Sequence, residues 1–314
     1  MPPDREIIIK ITETPEVNAH ARLDNAASTY HIEFTLGLIV WLDSIAASMA
    51  AHVARDFNVS PSPPLTLDLT RGNWRDALQQ RLDVNSELLP DYYYGAWESF
   101  FQKALLAIFA HEYAHIARGH LDWSKSQSGS GQMNERSLRK SKPVISATQT
   151  RALEFDADMF AARLLAHLAT EPPDYFPRLK VGTSTENLIE ALLGLILFLV
   201  AIEIEETAQE ERAPDYPQPL LRMIVMLTYM QPLWTLHNPD GDFWEIVFTG
   251  ALSVLKLFET IYAEIDVLRT LLDIDVNSAV VRELDDLSDD LQDLQHDVLK
   301  FAFERETYWN FGFD

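Results

Sequence analysis

The chain lacks cysteine entirely, so it can form neither a disulfide bond nor a thiolate metal site. Any metal ion must therefore be held by histidine and carboxylate side chains. Positive charge is also scarce: 25 lysines and arginines stand against 48 aspartates and glutamates, which gives a formal net charge of −23. A field of that sign repels the phosphates of nucleic acids and does not favour a polybasic attachment to anionic lipid. We therefore expect no nucleic acid as a partner.

Long apolar runs are absent as well. The best candidate, ALLGLILFLVAI at residues 191–202, is flanked by two glutamates and falls well short of the roughly 20 residues that a membrane-spanning helix needs. We interpret it as a buried core helix and predict no transmembrane span, while contact of this run or of residues 34–42 with a membrane surface stays open. The N-terminus MPPDREIIIK lacks the apolar centre of a secretory signal, so we expect a cytoplasmic protein.

The composition still supplies a large core, since 47% of the 314 residues are hydrophobic. The pattern predicts a mainly α (α+β) fold, with a short strand at residues 6–12 and an alternating stretch that turns helical over residues 31–57. Further helices are predicted over residues 91–118, 147–169, 185–209, 219–230, 243–275 and 279–305. We divide the chain into an N-terminal α/β segment (1–90), a core (91–230) and a C-terminal helical bundle (231–314), which could form one continuous domain.

Local signals mark several element ends. Asp91 follows a proline and is a candidate N-cap, and Gly119 is the expected C-terminal stop of the same helix. Thr183 and Glu186 have the spacing of a capping box at the start of a later helix. Residues 121–147 are rich in serine, glycine and lysine, so we predict a mobile loop there.

The sequence HEYAHIARGH carries three of the nine histidines of the chain. On a helix, His111 and His115 lie one turn apart on the same face and can grip one ion. Glu112 is rotated by about 100°, where it reaches a water on the metal rather than the metal itself. This is the HExxH arrangement of zinc hydrolases. His120 does not complete the metzincin pattern, because the glycine and the third histidine are displaced by one position, and we expect it to cap carbonyl groups or to pack near the site.

A third ligand is expected from the segment RALEFDADMFAARLL. Glu154 and Asp158 are again one turn apart and share a face, whereas Asp156 points away from that face. Acidic side chains are unusual within such an apolar helix, which argues against a mere acidic surface patch. Glu154 would complete a His₂Glu zinc site, and Asp158 is placed to accept the Nδ1–H of a ligand histidine.

The pair HEYAH and EFDAD resembles the gluzincin metallopeptidases, whose second motif is Glu-x-x-x-Asp. The wider pattern, with His120 after the first motif and ADxFAA in the second, is similar to the membrane-embedded CAAX-prenyl-protease type and to the smaller soluble peptidases of the Lit-type phage-exclusion family. The absence of several long apolar spans favours the soluble group. The resemblance covers roughly residues 91–223 and implies a zincin-like core in which one helix carries the active site and another the glutamate.

A later stretch, YPQPLLR, matches the H-P-x-P-x-x-R motif of the CAAX-prenyl-protease type at both prolines and at Arg222. Tyr216 stands where that family has a histidine thought to help hold the oxyanion, and a tyrosine hydroxyl could do the same. A proline-rich turn before a helix is the alternative reading. The resemblance implies a zinc endopeptidase, acting on a protein or peptide substrate in a phage-defence or regulatory role. Its residues are Zn²⁺ ligands His111, His115 and Glu154, general base Glu112, and supporting side chains Asp158, His120 and Arg222.

Basic residues are concentrated between the two metal motifs, where six of them stand against a single acid, Glu135, over residues 125–151. The 121–147 loop could be a lid that recognises an acidic segment of a substrate, or that keeps the site closed until an activating partner binds; a solvated loop is the alternative. Two other kinds of protein also stay open. One is a catalytically silent protein in which zinc staples two helices, and the other is a helical adaptor without metal whose acidic C-terminal helices bind a basic partner.

Overall fold

A computed structural model describes residues 6–14, 16–24, 29–56, 91–128, 132–133, 146–170, 184–207 and 219–250, together with 294, 297–298 and 300–302. Most of these residues are helical, and a small sheet lies near the N-terminus, so the prediction of a mainly α fold with a little β is confirmed. None of the described helices has the length and apolar character that crossing a membrane requires.

Three strands come first in the chain, and the helices follow, with one short strand between the third and fourth of them. The strands are β1 (Ile7–Thr12), β2 (Ala19–Asp24), β3 (Thr29–Thr35) and the short β4 (Gln132–Met133). The helices are α1 (Leu36–Asp56), α2 (Asp91–Ala117), α3 (His120–Ser128), α4 (Ala147–Thr170), α5 (Ser184–Thr207) and α6 (Pro219–His237). Residues 243–250 are also helical, whereas most of the predicted C-terminal bundle lies outside the described residues.

The sheet has the strand order β1-β3-β2-β4, with β1 parallel and β2 antiparallel to the central β3. Ala21 of β2 is paired with Ile32 of β3, and both are fully buried on the face that packs on the helices. The neighbouring pair, His20 and Glu33, lies on the opposite face because side chains alternate along a strand. β2 was not predicted, since its sequence AHARLD is short and mixes polar with small residues.

The helices around α2 form the core. α2 packs against α1, α4 and α5, and α4 packs in turn on α6. Residues 191–199 of α5 are buried, which confirms the interpretation of that apolar run as a core helix. α5 and α2 approach closely at Gly194, where a Cβ atom would lie 2.4 Å from the carbonyl oxygen of Lys103. The Lys103 ammonium forms an ion pair with Glu190, 2.9 Å away, between the same two helices.

The prediction of a loop from residue 121 is wrong for its first part, because α3 begins at His120. Gly119 ends α2 as predicted, and its φ of 78° turns the chain so that a second helix starts at once. Leu121 and Trp123 of α3 are buried, and the Tyr30 hydroxyl of β3 donates a hydrogen bond to Asp122. These contacts stabilise residues 120–128 as a helix, although their polar composition suggested a loop.

The start of α4 contains a capping box that the sequence reading overlooked. The Ser146 hydroxyl accepts a hydrogen bond from the Gln149 amide at 3.2 Å, and the Gln149 side chain accepts one from the Ser146 amide at 3.0 Å. Two backbone amides that have no acceptor within the helix thus find one in a side chain. Of the predicted box at Thr183 and Glu186, the threonine lies outside the described residues.

Candidate metal centre

The first half of the site comes from the buried end of α2. His111 and His115 are one helical turn apart, and each is only 2% exposed. Their Nε2 atoms lie 3.2 Å apart, so both rings direct the same nitrogen toward one point. Glu112, the next residue after His111, is also buried.

The second half comes from α4, which packs against α2. Glu154 brings one carboxylate oxygen to 3.2 Å from His111 Nε2 and the other to 3.7 Å from His115 Nε2. Zinc bonds of about 2.0–2.2 Å in a tetrahedron place neighbouring donor atoms about 3.3–3.6 Å apart. The three observed separations lie close to that range. His111, His115 and Glu154 therefore form a buried group that could hold a metal ion, and the donor set of two imidazoles and a carboxylate suits zinc.

The outer nitrogen of His111 is held by a carboxylate and an arginine. Its Nδ1 lies 2.9 Å from Asp158 Oδ1, and Arg222 donates to both oxygens of Asp158 at 2.7 and 2.9 Å. Asp158 and Arg222 are fully buried. Phe198 of α5 packs against both His111 and Arg222. Its ring centroid lies 5.2 Å from that of His111 and 5.2 Å from the guanidinium carbon of Arg222. The ring orientation of His111 is thus fixed from outside the group of three.

The outer nitrogen of His115 contacts a second histidine. Its Nδ1 lies 2.9 Å from His120 Nδ1, and His120 Nε2 lies 2.9 Å from Asp156 Oδ2. Arg118 donates to both oxygens of Asp156 at 2.8 and 2.9 Å. His120 is therefore packed beside the site, one of the two positions expected for it.

The charges around the group favour a cation at its centre. Burial acts against protonation of His111, but hydrogen bonds to Asp158 and Glu154 prevail and raise the pKa of His111 to about 10. Burial lowers the pKa of His115 to about 3. Although burial works in the opposite direction, the His115 and His111 neighbours hold the pKa of the Glu154 carboxyl well below its usual range. The pKa of Asp158 is also lowered: burial opposes the shift, and the charge of Arg222 outweighs it. A protonated His111 carries N–H groups on both ring nitrogens, one directed at Asp158 and the other at Glu154. The Nε2 proton that faces Glu154 occupies the place where a metal ion would bind.

Most of the predicted site residues lie together in the structure. His111, His115 and Glu154 meet at one point, and Asp158, Arg222 and His120 surround them. Tyr216 lies outside the described residues, so its suggested role stays a prediction.

Asp156 turns away from the face shared by Glu154 and Asp158, as predicted from helical spacing, and it contacts a different part of the site. It is largely buried and joined to the site through His120. Arg118 and Phe198 were missed altogether. The signal that singled out Glu154 and Asp158, acids within an apolar helix, applied equally to Asp156. No comparable signal marked Arg118 or Phe198.

Comparisons with known protein families, with curated proteins and with solved structures gave no match. The class of protein is therefore given by the fold and the site alone. It is a mainly helical protein with a buried His₂Glu group that could bind a metal ion.

Proposed function

We propose that this protein is a zinc-dependent endopeptidase of the gluzincin kind, most like the Lit-type phage-exclusion peptidases, acting on a peptide or protein substrate in the cytoplasm. One observation carries the proposal. Within the described residues, three protein donors meet at tetrahedral spacing, and Glu112 follows the first of them on the same helix. Catalytic zinc sites use three protein ligands, whereas structural sites use four.

Each residue of the site has a separate role in the proposed reaction. His111, His115 and Glu154 would hold a zinc ion, which would supply the Lewis acidity that makes bound water nucleophilic and polarises the scissile carbonyl group. Glu112 takes a proton from the attacking water and passes it to the leaving amine nitrogen. Asp158 accepts the Nδ1–H of His111 and so keeps its Nε2 lone pair directed inward. Arg222 neutralises the buried Asp158.

Two parts of the proposal rest on the sequence alone. Tyr216 would donate a hydrogen bond to the developing oxyanion. The basic segment of residues 121–147 would select an acidic stretch of substrate or respond to an activating partner.

The proposal is tested by replacing the general base. We expect Glu112→Gln to bind zinc as the parent does and to lose turnover by about 10²–10⁴-fold, because the amide cannot accept the proton. Cleavage of a mixed peptide library, with and without a chelator, measures the loss.

Glu98→Gln is the matched control, since Glu98 lies on the same helix, 13 residues before His111, and accepts an exposed hydrogen bond from Gln102. Parent-like turnover by Glu112→Gln would refute the assignment of Glu112.

The burial of the group favours a second candidate, a catalytically inactive protein in which zinc links α2 to α4 and stabilises the fold. His111, His115, Glu112 and Glu154 are each less than one tenth exposed in the described structure, and structural zinc sites are closed to solvent. Zinc binding by the parent without any chelator-sensitive peptide cleavage would favour this candidate over the peptidase.

A further inference from the structure

His115 is linked to the protein surface by a chain of hydrogen bonds that the peptidase mechanism does not use. The chain passes from His115 to His120, then to Asp156, and ends at Arg118. The first two side chains are essentially buried, and the last two are 12 and 15% exposed. Three elements contribute: the end of α2, the start of α3 and the middle of α4.

The donors and acceptors along this chain fix the direction of each bond. Arg118 can only donate, so the Asp156 carboxylate accepts from it and accepts also from His120 Nε2–H. A neutral His120 with its proton on Nε2 has only an acceptor at Nδ1, and that atom therefore accepts from His115 Nδ1–H. His115 is left with a lone pair on Nε2, the nitrogen that points toward Glu154 and His111.

We propose that Arg118, Asp156 and His120 form a relay of positioning residues that fixes the tautomer and ring orientation of His115 for metal binding. The relay does for His115 what Arg222 and Asp158 do for His111, with one histidine inserted between carboxylate and ligand. The insertion follows from the geometry of α4: Asp156 is two residues after Glu154 and points about 200° away from it, so it cannot reach His115 directly. His120, turned back by Gly119, spans the gap.

The proposal rests on metal binding by the proposed site but not on peptide cleavage. It is therefore tested by metal affinity, measured by competition with a chromophoric zinc chelator, and by the visible absorption of the cobalt(II)-loaded protein. The thermal unfolding temperature of the metal-free form reports folding separately.

The informative pair of variants is His120→Gln and His120→Phe. Glutamine keeps an acceptor for His115 and a donor for Asp156, whereas phenylalanine fills the volume with neither. We expect His120→Phe to weaken zinc binding by about 10–100-fold and to change the cobalt spectrum. His120→Gln should stay within a few-fold of the parent, and this rescue would not occur if the ring only filled space.

Asp156→Asn is a second test of the relay by zinc affinity if His120→Phe does not fold. The amide oxygen can still accept from His120, but the charge is lost, and we expect zinc affinity to fall by about tenfold. Lys103→Met is the matched control: it breaks another ion pair of α2, between the buried Lys103 and the half-buried Glu190, and should lower the unfolding temperature without changing zinc affinity.

Parent-like zinc affinity in folded His120→Phe or Asp156→Asn would overturn the relay, as would equal losses in His120→Gln and His120→Phe. If the parent binds zinc and cleaves nothing, the peptidase proposal fails while the relay is still decided by these affinities. If the parent binds no zinc at all, both proposals fail.

Discussion

At the scale of single residues, the site is a set of opposed charges removed from water. Two histidines face Glu154, and two further carboxylates, Asp156 and Asp158, are each paired with an arginine. Breaking such buried pairs is costly because the remaining charge has no solvent to compensate it. The side chains around the ligands are thus as constrained as the ligands themselves.

Protonation of His111 competes with metal binding, since both require the same Nε2 lone pair. The pKa of His111 is raised to about 10, so below that pH the metal-free site carries a proton that zinc must displace. We expect the apparent zinc affinity to rise by roughly tenfold for each pH unit between about pH 6 and 9. Chelator competition at several pH values measures the slope, and an affinity independent of pH across this window would contradict the prediction.

At the scale of elements, the turn between α2 and α3 decides where His120 lies. Gly119 adopts a φ of 78°, and a Cβ atom there would lie 2.4 Å from the carbonyl carbon of Phe301. A side chain would therefore be strained by its backbone conformation and would also collide with backbone atoms of a neighbouring segment. The turn tolerates glycine alone.

We expect Gly119→Ala to lower the free energy of unfolding by more than the roughly 1–2 kcal/mol of left-handed strain, because the collision adds to it. Zinc affinity should fall with it, since displacement of the turn moves His120 away from His115. Thermal and denaturant unfolding measure the first effect, and chelator competition the second.

Gly250→Ala is the control for this substitution. Among the described residues, a Cβ atom there would meet the Ile189 side chain at 3.8 Å, which is an ordinary contact. In a helix, alanine in place of glycine should stabilise by up to about 1 kcal/mol. Similar losses at both positions would contradict the special role of the turn.

At the scale of the whole molecule, the site joins α2 and α4 through His115 and Glu154, which are 39 positions apart in sequence, and the chain carries a net charge of −23. A divalent cation would reduce that charge at a buried point between α2 and α4. Because a metal site requires both helices in place, zinc should bind the folded chain and not the unfolded one.

We expect zinc at 100 times its Kd to stabilise the fold by about 2.7 kcal/mol, with a corresponding rise in unfolding temperature. A chelator should reverse the rise. Glu154→Gln removes one ligand and should abolish most of the shift, whereas Glu98→Gln should keep it. An equal shift in Glu154→Gln would place the metal elsewhere.

The sequence by itself determined what a single helix dictates. A repeat of about 3.6 residues per turn places His111 with His115, and Glu154 with Asp158, on common faces wherever the helices go. The apolar content of residues 191–202 likewise required burial, and the described structure buries residues 191–199. The tertiary structure alone decided the distances between α2 and α4, the helix at residues 120–128, and the placement of His120, Asp156, Arg118 and Phe198. These depend on how distant segments pack, and no local spacing encodes the angle or separation at which two helices cross.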